Sequence, residues 1–297
     1  MSILIDESTR LLIQGITGKE GRRASIAARA YHTIVVAGVT PGKGSQNIDG
    51  IPVYDSIEHA FKYHPDINAT AIYVPPFAAA DAIREAIAAG IPLINVMTER
   101  IPIRDTAECL ALAHRHKVRI VGPASLGIIS SGKGRIGVAG GDDPDAIYAL
   151  GTVGVISRSG GMMNEVSWQL RRKGIGISTA IHVGGDLLIG TPYADALKLF
   201  EADPDTKGVV LFGEVGGEYE CVVAEMLLKK QFTKPLVVFI GGKFAQQLPE
   251  GMTIGHAGAL IEKGKGSVQE KETALRASGA TVVDRYEDMA IVIKDVV

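Results

Sequence analysis

The stretch Leu11-Leu-Ile-Gln-Gly15-Ile-Thr-Gly18-Lys-Glu-Gly21 decides the fold. A short apolar run leads without a break into three glycines, and a helix-forming segment follows to residue 30. An apolar run without alternation predicts a strand buried on both faces of a parallel sheet. Glycines at its end predict a tight turn into a helix whose first backbone N–H groups lie open to an anion. Outward from this unit the same rhythm repeats. Runs at 34–37, 71–74, 93–97 and 120–121 predict further strands, and 21–30, 57–63, 78–89 and 106–116 predict helices between them. Such alternation demands right-handed crossovers and a sheet covered on both faces. A second series starts at Thr152, with strands at 153–157, 177–183, 209–212, 236–240 and 281–283 and helices at 162–173, 193–202, 219–230, 268–278 and 287–295. The fold class is therefore α/β, with two doubly wound parallel-sheet domains at 1–129 and 151–297. Residues 130–150, rich in Gly and Asp and without a strong strand, are expected to connect them.

The 297 residues carry 31 Lys plus Arg against 33 Asp plus Glu, for a net charge of −2. With no basic run, no nucleic-acid partner is expected. Two cysteines, Cys109 and Cys221, frame neither a disulfide scaffold nor a cysteine-ligated zinc site, and they suit a reducing compartment. No apolar run approaches the roughly 20 residues of a membrane span, and Asp6, Glu7 and Arg10 interrupt any signal-peptide pattern. A cytoplasmic protein without a membrane partner is expected. No His/Asp/Glu cluster has metal-ligand spacing, so no metal site is predicted on this chain. The nucleophile elbow G-x-S-x-G of hydrolases is absent as well.

In doubly wound sheets ligands bind beyond the carboxyl ends of the strands, and the glycine-rich motifs all fall there. An NAD site usually offers Asp or Glu at the second strand end. This chain has Val39-Thr-Pro-Gly-Lys43-Gly44 instead, and a lysine in a glycine-flanked turn suits a ligand phosphate, as in CoA or NADP. The next ends give Pro75-Pro76, Met97-Thr98-Glu99 and Gly122-Pro-Ala-Ser-Leu-Gly127, which together describe an elongated ligand across one sheet edge. In the second domain Ser157-Arg-Ser159-Gly160-Gly161 opens a helix whose free N–H groups suit an anion. Gly184-Gly185-Asp186 and Gly213-Glu214-Val-Gly216-Gly217 end the following strands, and Gly255-His256-Ala-Gly258-Ala259 lies in a long loop. A histidine between glycines is accessible, and a carboxylate beside it leaves one ring nitrogen nucleophilic. Glu214 is the best candidate for that carboxylate. His182 reads equally as a strand residue or as one facing the site, and His32, His59, His64, His114 and His116 read as surface residues. A CoA- or NAD(P)-binding oxidoreductase and a CoA-sensing module of residues 1–127 remain alternatives. Lys43 weighs against NAD, and an accessible loop histidine weighs against a sensor.

Taken in order, GITGKEG (15–21), GVTPGKG (38–44), SRSGG (157–161), GGD (184–186), GEVGG (213–217) and GHAGA (255–259) closely resemble the α subunit of succinyl-CoA synthetase and its superfamily. That superfamily includes malate–CoA ligase, citryl-CoA synthetase and ATP-citrate lyase, and the resemblance covers nearly the whole chain. It implies a Rossmann-like CoA-binding domain followed by a flavodoxin-like CoA-ligase domain. CoA would be held by Thr17, Gly18, Lys19, Glu20, Lys43, Met97, Thr98 and Glu99. His256 matches the family's phosphohistidine and Glu214 its carboxylate partner, while Ser159, Gly160 and Gly161 match the helix start that receives the phosphoryl group. The implied reaction is ADP- or GDP-forming acid–CoA ligation. ATP or GTP with Mg2+ would sit on a β subunit carrying an ATP-grasp site, since this chain has no Walker motif. Succinate-specific members read GPNCPG and SRSGTLTYE where this chain has GPASLG and SRSGGMMNE, which are closer to ATP-citrate lyase and citryl-CoA synthetase. Asn164 thus replaces a tyrosine one turn beyond Gly160 and Gly161. It is expected to face the phosphoryl site and to favour an acid bulkier or more polar than succinate, such as citrate or malate.

Overall fold

A computed structural model describes residues 2–244 and 266–297. Its first half contains β1 (Arg10–Gln14), α1 (Lys19–Ala30), β2 (Ile34–Val39), β3 (Asn47–Ile48), β4 (Ile51–Tyr54), α2 (Ile57–Phe61), β5 (Ala69–Ile72), α3 (Pro76–Ala88), β6 (Leu93–Val96), α4 (Ile103–Arg115) and β7 (Arg119–Val121). These strands form a seven-stranded sheet in the order β3-β4-β2-β1-β5-β6-β7, parallel except for β3. The chain builds outward from β1 on one side and then crosses to pair β5 on the other. The topological switch therefore lies between β1 and β5, where Gly15 sits. Gly15 has φ +81°, and a Cβ there would come 2.8 Å from the Tyr73 carbonyl oxygen. Any side chain on Gly21 would strike the backbone of Gly15. The glycine spacing exists so that α1 packs directly onto the turn.

The second half contains β8 (Gly127–Ser130), β9 (Gly134–Gly137), β10 (Leu150–Ser157), α5 (Gly160–Arg172), β11 (Ile177–His182), α6 (Tyr193–Ala202), β12 (Gly208–Glu214), α7 (Tyr219–Leu228), β13 (Leu236–Gly241), α8 (Val268–Ala277), β14 (Thr281–Val282) and α9 (Met289–Lys294). The sheet order is β14-β13-β12-β10-β11-β8-β9. Its five parallel strands follow the flavodoxin-like order, with the switch between β10 and β12. Ser157 and Glu214 end those two strands.

The segment expected to be a strandless connection is not one. Residues 127–137 form an antiparallel hairpin, β8–β9, which extends the second sheet beyond β11. Glycines hide its alternation. A Cβ on Gly127 or Gly137 would collide with the backbone of the opposite strand, so small residues stand where a strand pattern would show bulk. The short β3 and β4 were also missing from the sequence reading, because Asn47, Asp49, Gly50 and Pro52 break up their apolar character.

One apolar cluster spans both sheets. Leu11, Ile13, Ala71 and Val121 of the first pack in the same apolar cluster as Ile128, Ile136, Val183 and Tyr193 of the second. Hydrogen bonds cross between them: the Thr191 hydroxyl donates to the Ile120 carbonyl at 2.6 Å, and the Thr33 hydroxyl to the Arg135 carbonyl at 2.8 Å. Among the described residues no helix is long and apolar enough to cross a membrane.

Candidate active site

The edge of the first sheet is preorganised by its own threonines. The Thr17 hydroxyl donates to Thr40 Oγ1 at 3.2 Å, which in turn donates to the Val39 carbonyl, tying the turn after β1 to the end of β2. Gly18 occupies the N-cap of α1 and supplies no side chain to occupy the helix's free N–H groups. Lys19, Glu20 and Lys43 are exposed. Thr98 is buried, and its hydroxyl donates to the Val74 carbonyl at 2.7 Å, so this side chain fixes the rim.

The residues assigned to CoA divide between two cavities. Thr17, Gly18 and Lys19 line one of about 700 Å³ that runs along α1 towards Arg135. Met97 and Glu99 line another of about 260 Å³, together with Gly160, Gly161, His182 and Asp186. Glu20, Lys43 and Thr98 line neither of these two. The second cavity is where strand ends of both domains meet.

On its ligase side, Ser159 caps α5 by accepting from the Met162 N–H at 3.3 Å. Gly161 lies exposed in the first turn, with nothing within 4 Å of where its Cβ would be. The helix start is therefore open to an anion along the helix axis. Arg158, only 1% exposed, donates to the carbonyls of Gly184 (3.3 Å) and Asp186 (2.7 Å). Its Nε lies 3.3 Å from Glu214 Oε1, and its guanidinium stacks over the Tyr219 ring at 5.3 Å. Glu214 is thus held across the β10/β12 switch by a buried cation. In the sequence Arg158 stands out only as an arginine inside an otherwise apolar strand end, a place where a buried cation needs a carboxylate partner.

His182 is a scaffold residue. Its Nδ1 accepts from the Leu126 amide at 2.6 Å, and its Nε2 lies 2.6 Å from the Arg158 carbonyl. An amide only donates, so the ring proton sits on Nε2 and the imidazole is neutral. It joins the turn after β7 to the Arg158 backbone. His256 lies outside the described residues.

Asn164 does not meet the expectation placed on it. Its Oδ1 accepts from the Tyr148 hydroxyl at 2.6 Å and from the Gly140 amide at 3.1 Å, and it does not line the cavity beside Gly160 and Gly161. Burial raises the Tyr148 phenol well above its usual range, which keeps it a neutral donor. The reason is geometric. A helix N-terminus binds along its axis through backbone N–H groups, whereas a side chain one turn further projects sideways.

Residues 6–100 match the CoA binding domain family, and residues 156–281 match the CoA-ligase family. Over 282 residues, 95% of each chain, the sequence is 43% identical to succinate–CoA ligase [ADP-forming] subunit alpha 2 of Archaeoglobus fulgidus. The chain belongs to the α-subunit family of ADP-forming acid–CoA ligases. It is also 42% identical over 297 residues, 99% of each chain, to an ADP-forming sulfoacetate-CoA ligase subunit of Bilophila wadsworthia. The fold superposes with a TM-score of 0.91 at 28% identity on the ATP citrate lyase of Methanothrix soehngenii, solved with citrate and coenzyme A. That match covers 99% of this chain and 50% of the other, so the ligase α chain spans half of that longer protein. As an acid–CoA ligase chain it binds CoA, and the CoA-ligase match over 156–281 displaces both the oxidoreductase and the sensing module.

Proposed function

We propose that this chain is the α subunit of a nucleoside-diphosphate-forming ligase that makes an acyl-CoA thioester by way of phosphorylated His256. The observation that carries this reading is the β10/β12 switch point. There a helix start open at Gly161 stands beside a carboxylate, Glu214, that buried Arg158 holds in place. Three reversible transfers use these parts. The nucleotide γ-phosphoryl passes to a His256 ring nitrogen and releases the diphosphate. The phosphoryl then passes to the acid's carboxylate oxygen, which frees the histidine. The CoA thiolate finally attacks the acyl carbon, forming the thioester and releasing phosphate. Covalent catalysis divides one difficult exchange into separate transfers. The α5 amides stabilise the travelling phosphoryl charge, and Glu214 orients the imidazole.

CoA lies across the first sheet edge on Thr17, Gly18, Lys19, Glu20, Lys43, Met97, Thr98 and Glu99, with its thiol end at the cavity shared with Gly160 and Gly161. ATP or GTP and Mg2+ belong to a β subunit with an ATP-grasp site. Relatives named as alpha subunits support that partner. The acid is a small one with more than one anionic or polar group. The succinate and sulfoacetate names of its relatives support this, as does citrate in the ATP citrate lyase complex.

The test is intact mass of the co-expressed αβ pair after incubation with ATP and Mg2+, followed by thioester assays with succinate, malate, citrate and sulfoacetate. The wild type is expected to gain one phosphate, and His256→Ala to gain none while keeping its fold. Equal phosphate incorporation by His256→Ala overturns the assignment.

A further inference from the structure

Behind Glu214 lies a charged pair that none of the transfers above uses. Lys271 of α8 and Glu220 of α7 are buried, with side chains 0% and 1% exposed. Lys271 Nζ lies 2.5 Å from Glu220 Oε2 and donates to the carbonyls of Glu214 at 2.7 Å and Gly216 at 2.6 Å. An ammonium has three N–H groups, and all three are used. Glu220 Oε1 accepts from the Glu214 amide at 3.1 Å. The pair therefore grips the backbone of one residue from both sides, through its N–H and its C=O. Space has been cleared for this contact, since a Cβ on Gly213 would come 2.8 Å from Glu220 Oε1. Stability alone does not explain it, because well-packed apolar residues usually serve a buried site as well as an ion pair does. The turn being held has Gly216 and Gly217 both at positive φ, a conformation that side-chain-bearing residues rarely adopt.

We propose that the Lys271–Glu220 pair is a positioning dyad for Glu214. Arg158 restrains the carboxylate, and the dyad restrains the peptide from which it projects. This rests on the reading of Glu214 as the carboxylate that orients His256. Lys271 also follows His256 closely in the chain, so one ammonium ties the β12 end to the helix that succeeds the histidine segment in sequence.

The experiment uses the αβ complex and measures the rate of phosphate incorporation from ATP and Mg2+, kcat, the KM for CoA, and the thermal midpoint. Lys271→Met is expected to slow phosphate incorporation about 10- to 100-fold, the scale of a small misplacement of a catalytic group. Lys271→Met/Glu220→Met removes the unpaired charge, so its thermal midpoint is expected to return towards wild type while the rate stays low. Glu220→Gln keeps the shape and needs no repacking, and its kcat is expected to fall about tenfold with the KM for CoA changed less than about twofold. Recovery of the rate together with stability in the double variant overturns the inference, and so does a wild-type kcat in Glu220→Gln. Glu214→Gln separates the two levels. If it keeps the full rate, the reading of Glu214 fails; if it is slow while the Lys271 and Glu220 variants are fast, only the dyad fails.

Discussion

Arg158 shows how much of this site depends on single side chains. It is a buried cation whose only carboxylate contact among the described residues is Glu214, so Arg158→Met leaves that carboxylate facing an apolar stub. Removing one partner of a buried pair costs about 3 kcal/mol, which a denaturant titration is expected to show alongside a loss of phosphoenzyme. Lys43 is the opposite case, with an exposed side chain. Lys43→Ala is expected to weaken CoA binding about 10- to 100-fold by removing a charge-assisted contact to phosphate, with the thermal midpoint unchanged. Calorimetric titration with CoA and dephospho-CoA checks this and identifies the phosphate; equal affinities for wild type and variant remove Lys43 from the site. Asn164→Leu leaves the Tyr148 hydroxyl and the Gly140 amide without their acceptor, at a cost of about 1–3 kcal/mol. The ratios of kcat/KM among succinate, malate and citrate are expected to stay constant, and a changed ratio would return Asn164 to the acid site. Residue types at strand ends were readable from the sequence, as with the glycines of the turn after β1. Directions were not, because Asn164 was placed by helix spacing and its direction depends on what packs beside α5.

At the scale of elements, the two glycine-bearing helix starts behave differently under the same substitution. Gly21→Ala drives a methyl group into the Gly15 backbone and lifts α1 off its turn, an overpacking worth about 1–3 kcal/mol, and CoA affinity is expected to fall with stability. Gly161→Ala meets nothing within 4 Å and gains helix propensity, so stability is expected to hold or rise by up to about 1 kcal/mol. Phosphate incorporation is expected to drop nonetheless, because the methyl stands over an open helix start. Parallel melting and phosphorylation assays distinguish the two patterns, and a Gly161→Ala protein with normal phosphorylation would separate that glycine from the phosphoryl path. The helix starts and the parallel strands were legible because apolar runs and glycine turns are local signals. The β8–β9 hairpin was not, since three of the eight residues in its strands are glycine and the pairing of β8 with β11 is set from afar.

For the whole molecule, the apolar cluster common to both sheets makes the domains interdependent. A single thermal transition is expected in calorimetry, and two separated transitions would contradict the shared core. By itself the sequence determined two alternating β/α series, the glycine turns that end their strands, and the family resemblance, because each follows from neighbours a few residues apart. The tertiary structure alone decided which partners those turns acquired. It set Arg158 against Glu214, closed Lys271 and Glu220 around the same residue, placed Thr17, Gly18 and Lys19 in one cavity and Met97 and Glu99 in another, and turned Asn164 towards Tyr148. Each of these contacts joins elements whose adjacency depends on strand order and crossover path. Local periodicity carries no information about that path, and only the packed sheets fix it.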